Sequence, residues 1–118
     1  MIKKHIPDRG DVYMIDPEST GREMKMKHRF IVITPKAINE LGVTMTVPVT
    51  TGGAFSRNNG LTVSIDGYDT TGVAVCNQVR SFDIEDRVRR GCAKYIEKID
   101  AIIMAEIINR VVSIIDPA

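Results

Sequence analysis

The chain has 118 residues, with 16 basic against 15 acidic side chains for a net charge of +1, and 43% of its residues are hydrophobic. That is enough chain to bury one core without disulfide or metal staples and too little for two, so 1–118 is read as a single domain. A balance so close to neutral excludes a global electrostatic case for a polyanionic partner, and any such case must rest on local clusters.

Taken in order, Met1 to Gly10 lacks the apolar stretch of a secretory signal. The apolar C-terminal stretch is interrupted by Asp100, Glu106, Arg110 and Asp116, so a cytoplasmic location is expected. A strand is expected at Asp11 to Ile15, then a basic loop from Pro17 to His28 carrying Arg22, Lys25 and Lys27, then a strand from Phe30 to Thr34 preceded by Arg29. A helical turn follows from Lys36 to Leu41, stopped by Gly42. Further strands are expected at Val43 to Thr50, Leu61 to Ile65 and Gly72 to Cys76, with a short one at Arg80 to Asp83 and another at Cys92 to Ile96. Frequent short strands punctuated by Gly, Pro and Asn indicate a mainly β, β-rich α+β protein built as a small closed or half-closed barrel. One helix ends the chain, with Asp100 as its N-cap. Its apolar arc runs through Ile102, Ile103, Met104, Ile107, Ile108, Val111, Val112 and Ile115, wider than one sheet face requires, so part of it is expected at a dimer interface.

Polar residues placed by these strands are the candidates for function. Alternation puts Thr44, Thr46, Pro48 and Thr50 on one side of their strand and Met45, Val47 and Val49 on the other, so Thr50 ends a rigid element with its hydroxyl on the polar side. The apolar run Val73 to Cys76 delivers Asn77, Gln78 and Arg80 at another strand end. The loop Gly52 to Gly60 offers Arg57, while Phe55 is read as core. Arg87, Arg89, Arg90 and Lys94 follow Asp83, Glu85 and Asp86, which partly cancel them, so this cluster is read as a solvated face. Cys76 and Cys92, with His5 and His28, match no zinc spacing, and neither a metal site nor another cofactor is expected.

The strings Arg9 to Tyr13, Asp16-Pro17, Val47 to Arg57, Val63 to Gly67, Thr71 to Val73, Asn77 to Arg80 and Asp83, in that order, resemble the MazF/PemK family of toxin ribonucleases, nearest to its PemK/Kid and ChpB branch. The resemblance implies an SH3-like barrel of the CcdB/MazF/PemK type with a C-terminal helix. It also implies a toxin of a type II toxin-antitoxin system: a homodimeric, metal-independent endoribonuclease that cuts single-stranded messenger RNA and is silenced by a cognate antitoxin of PemI/MazE type. Such cleavage uses the 2'-hydroxyl as nucleophile and leaves 2',3'-cyclic phosphate and 5'-hydroxyl ends. The protein must then help remove a proton, steady charge on the phosphate and protonate the leaving oxygen.

Family members place catalysis on the residues that match Arg29 and Thr50. A guanidinium fork suits phosphate oxygens and a strand-end hydroxyl can align the reacting groups, so the two are expected to meet at one phosphodiester. Phe30 stands where the family usually has Pro. The Arg, Asp and His that some Kid-like members use match Val75, Asn77 and Arg22 here, so none of the three is kept. His28 is a candidate acid or base, converging with Arg29 only if the strand begins after it. Asp11, Thr51, Arg57, Asn77, Gln78 and Arg80 are candidates for RNA binding. The alternative is a non-catalytic binding module on the same barrel, either an inactive toxin relative or a gyrase-binding poison; the latter relies on a C-terminal Trp, which this chain lacks.

Overall fold

The computed structural model describes residues 5–18, 27–51 and 61–117. It contains strands β1 (Asp11–Ile15), β2 (His28–Val32), β3 (Thr44–Thr50), β4 (Thr62–Ile65), β5 (Gly72–Val75), β6 (Arg80–Phe82) and β7 (Ala93–Lys98). Short helices α1 (Lys36–Asn39) and α2 (Ile84–Arg89) precede the long α3 (Ala101–Ile115). The strands form one antiparallel sheet in the order β4-β5-β3-β2-β1-β7, with β6 as an extra partner of β3.

Strand β3 is the hub because it serves three partners. One edge takes β2, with Arg29 opposite Val49 and Phe30 opposite Pro48. The other edge takes β5 at Val49 and Thr50, and β6 at Thr44 to Thr46. The sheet curls until its margins meet. The backbone N–H groups of Asp69 and Thr70, in the β4–β5 turn, donate to the Glu97 carboxylate of β7 at 3.3 and 2.6 Å, and the Tyr68 hydroxyl donates to Asp100. A half-closed barrel results, sealed by side chains rather than by a continuous ladder.

Alternation along the strands divides the apolar residues between two cores. On one face Val12, Ile31, Val47, Val49, Val63 and Ala74 pack with Met104, Ile107 and Val111 of α3. On the other, Tyr13, Ile15, Phe30, Val32, Phe82 and Ala93 pack with Ile84 of α2. Each Val, Ile, Met or Phe side chain among them contributes about 1.5–3 kcal/mol when fully buried. Helix α3 starts at its expected cap, Asp100, whose side chain accepts from the Ile103 N–H at 2.9 Å. Its apolar arc is only partly covered: Met104, Ile107 and Val111 are buried, while Ile102, Val112 and Ile115 are exposed. Among the described residues no helix is long and apolar enough to cross a membrane.

Three sequence expectations change. Strand β2 begins at His28, not Phe30, because the ladder to β1 extends to the Ile15–His28 pair. Asp83 is not strand; it caps α2, accepting from the Asp86 N–H at 3.1 Å, and α2 itself was not anticipated. The supposedly polar face of β3 is covered along much of its length. Thr44 and Thr46 are buried where β6 pairs with β3, and the Thr46 hydroxyl donates to the Arg80 carbonyl at 2.8 Å.

Candidate functional site

Only the C-terminal end of β3 keeps its polar side open. There Pro48 and Thr50 share a groove of about 520 Å³ with His28 and Phe30 of β2, Gln78 and Arg80 beyond β5, and Glu18 beyond β1. Each polar member has a structural reason to be present. The ladder to β1 makes His28 a strand residue on the Phe30 side, which is the groove side. Gln78 arrives through a turn in which its N–H donates to the Val75 carbonyl at 3.2 Å. Arg80 is held at the backbone by Thr46, and its guanidinium lies 5.4 Å from the centre of the Phe82 ring. Glu18 is its counter-charge, 3.8 Å away and largely solvated, so the pair is weak and open to exchange.

Arg29 lies elsewhere. Paired with Val49, it projects to the α3 side of the sheet, away from Thr50 and His28. Its Nη1 donates to the Thr70 hydroxyl at 2.8 Å and sits 3.8 Å from a Glu97 carboxylate oxygen. The expected convergence of Arg29 and Thr50 on one surface is therefore absent from this conformation, and the reason is the earlier start of β2. The two nevertheless occupy the same end of the sheet. Thr70 stands two residues before Gly72, whose backbone packs so tightly on the Thr50 carbonyl that a Cβ there would lie 2.2 Å from it.

Glu97 gathers this junction. Burial alone would raise its pKa, but the hydrogen bonds from Thr70 and Asp69 and the charge of Arg29 outweigh that, leaving it below the usual value of 4.5. Neither Thr70 nor Glu97 is marked by local sequence spacing. A carboxylate two residues after Tyr95 in an exposed strand carries no signal of its own, and only the sheet's closure shows it.

The remaining candidates divide. Asp11 is not in the groove: it is buried, accepts from the Asp8 N–H at 2.8 Å and pairs with Lys98 at 3.6 Å. Thr51 and Asn77 are exposed near the groove's strand ends. Arg57 and Phe55, like Arg22 and Lys25, lie outside the described residues. In the second basic cluster, Arg89 and Arg90 pair with Asp86 at 2.9 and 3.0 Å, as a solvated face would, whereas Arg87 turns inward, donating to the Asp16 carbonyl at 3.1 Å and lying 4.9 Å from the centre of the Phe82 ring. Cys76 and Cys92 are buried free thiols, and burial pushes Cys76 up to about 11, which leaves it protonated and inert. Among the described residues no cluster of three His, Cys, Asp or Glu side chains is placed to hold a metal ion.

Residues 8–115 match the family described as PemK-like, MazF-like toxin of type II toxin-antitoxin system. Endoribonuclease PemK of Escherichia coli is 33% identical over 117 residues, covering 96% of this chain and 85% of that protein. Endoribonuclease toxin ChpB of Escherichia coli strain K12 is 34% identical over 94 residues, covering 76% and 81%. A crystal structure of MazE-MazF from Deinococcus radiodurans superposes with a TM-score of 0.73 at 20% identity, covering 95% of this chain and 97% of the other, which supports the fold.

Proposed function

The chain belongs to the PemK-like, MazF-like toxin family, and from that premise we propose that it is an endoribonuclease toxin that cleaves single-stranded RNA by attack of the 2'-hydroxyl. The observation that carries the reading is the open groove in which a hydroxyl, an imidazole, a carboxamide and a guanidinium from β2, β3 and the β5–β6 segment face one space. Those are the group types that a metal-independent transesterification needs. Arg80 attracts the phosphate, displacing the solvated Glu18. The Thr50 hydroxyl aligns the phosphate or the attacking oxygen from the end of a stiff strand, and His28 is the acid or base within reach. Gln78, with Asn77 and Thr51 at the rim, offers donors and acceptors to splayed base edges.

Arg29 enters from the reverse side of the same sheet end. An RNA strand crossing that end meets Thr50 on one face and the Arg29 guanidinium on the other, so Arg29 steadies phosphate charge without sharing the groove floor. The partners follow from the same reading: a second copy of the chain covering part of the exposed arc of α3, and an acidic antitoxin of PemI/MazE type competing with RNA for the cations, in the cytoplasm.

The test is incubation of the purified protein with a long single-stranded RNA in EDTA. Discrete fragments ending in 2',3'-cyclic phosphate are expected, and Thr50→Ala and Arg29→Ala each reduce the rate at least about tenfold, or about 1.4 kcal/mol. RNA left intact by the wild-type protein would reject the reading in favour of a non-catalytic binding module.

A further inference from the structure

We propose that Glu97 is a positioning residue for Arg29, acting with Thr70 to fix the guanidinium at the sheet end where RNA is cut; this rests on the ribonuclease reading above. Three residues distant in sequence converge there. Glu97 comes from β7, two strands away from Arg29 across β1, and Thr70 comes from the turn that closes the barrel.

The carboxylate is itself immobilised. It accepts from the backbone N–H of Thr70 at 2.6 Å and of Asp69 at 3.3 Å, so its orientation is set by the main chain. From that fixed place it faces the guanidinium at 3.8 Å, while the Thr70 hydroxyl takes Nη1 directly. A long side chain at the start of a strand otherwise samples many rotamers, and ordering it during the reaction slows the chemical step. Here two partners order it beforehand, and both engage the same end of the guanidinium. Among the described residues both contacts fall on Nη1, so Nε and Nη2 are left as donors for an incoming phosphate. The arrangement resembles the outer support of other preorganised sites, where a second group that never touches substrate holds the one that does.

An amide at position 97 separates positioning from packing. It keeps the size of Glu97 and, with its oxygen on the Thr70 N–H, an acceptor facing Arg29, but it removes the negative charge beside the guanidinium and sets an NH₂ against the Asp69 N–H. In the full-length protein, Glu97→Gln is expected to lower the single-turnover cleavage rate about fivefold, while the affinity for the same RNA carrying 2'-O-methyl groups and the melting temperature stay close to wild type. Joined to Arg29→Lys it adds nothing further, because both changes remove the same placement. Thr70→Ser retains activity and Thr70→Val loses it in part. Wild-type cleavage by Glu97→Gln, additive losses in the double variant, or a loss that only follows the melting temperature would overturn the assignment.

The side-chain Nη1–H resonance of Arg29 gives a readout that does not depend on cleavage, because Nη1 is the atom that Thr70 and Glu97 engage. It is sharp and resolved when the guanidinium is held, and collapses into the solvent-exchanging arginine signals in Glu97→Gln. Should the wild-type protein leave RNA uncut, the function falls. The collapse of that resonance would still establish the Glu97–Arg29 coupling, and its persistence would end it.

Discussion

Two cavities on opposite sides of the sheet use charge in different ways. The larger, about 600 Å³, lies along α3 and is lined by Asp8, Arg9, Pro35, Lys98, Ile99, Met104 and Ile108. The groove at Thr50 is about 520 Å³. In the α3 cavity Lys98 is satisfied by the chain itself, 3.4 Å from Asp8 and 3.6 Å from the buried Asp11. In the groove Arg80 has, among the described residues, the solvated Glu18 at 3.8 Å as its counter-charge, and His28 and Thr50 face the same space. A cation already paired with two carboxylates has little left to offer a phosphate, whereas one held by an aromatic ring and a displaceable glutamate does. Volume alone does not separate the two cavities; the state of their cations does.

The most damaging way to break this contrast is Gly72→Ala. The added Cβ would meet the Thr50 carbonyl oxygen at 2.2 Å, and the residue's φ is +131°. Steric overlap with backbone and a disfavoured dihedral together are expected to cost about 3 kcal/mol or more, and to abolish cleavage by displacing Thr50. Gly42→Ala is the control. Its φ is +117° with nothing within 4 Å, so only strain remains, about 1 kcal/mol, and the cleavage rate per folded molecule is unchanged. Denaturant melts combined with cleavage assays decide both.

On the α3 side, Ile107→Ala empties a fully buried position in the main core. A loss of about 2–5 kcal/mol in unfolding free energy is expected, with cleavage per folded molecule preserved. Groove substitutions behave in the opposite sense. Arg80→Gln removes the cation at an exposed position, together with its contact to the face of the Phe82 ring. A drop of about tenfold in cleavage is expected, together with weaker RNA binding and a shallower salt dependence, while the melting temperature barely moves. If Arg80→Gln unfolded the protein, or Ile107→Ala abolished turnover in the folded fraction, the division of labour between the two faces would fail.

How much of this was legible in the chain follows the same division. The strands and the capped helix α3 were readable because period-2 and period-3.6 patterns are local, and Thr50, Gln78 and Arg80 were readable as residues at strand ends. Helix α2 was missed although Asp83, Glu85 and Asp86 supply a cap and an acidic first turn. Six residues give little periodicity, and its charges read as surface. Asp11, expected at the substrate, is buried beside Lys98 instead, and a carboxylate beside an apolar strand looks the same in sequence whether it faces substrate or an internal lysine. The junction of Arg29, Thr70 and Glu97 could not be read at all, since no spacing in sequence encodes the closure of a barrel.

The smallest expected effect concerns the ion cluster of the α3 cavity. Burial would raise the Asp8 carboxyl, but the Arg9 N–H and Lys98 hold it below its usual 3.8. Burial would lower Lys98, yet Asp11 and Asp8 hold it above its usual 10.5. A depressed carboxyl stabilises the fold above its unfolded value and loses that contribution as pH falls through its folded value; a raised ammonium stabilises below its unfolded value and loses it as pH rises through its folded one. The stability difference between wild type and Lys98→Met is therefore expected to be flat near neutrality and to shrink at both extremes, below about pH 4 and above about pH 10.5. Lys98 and Asp8 are about half exposed, so the plateau is small although Asp11 is buried. Melting temperatures of the two proteins across pH measure it. A difference that instead changed around pH 6 to 7 would mean that a group outside this cluster, such as an imidazole, governs that side of the molecule.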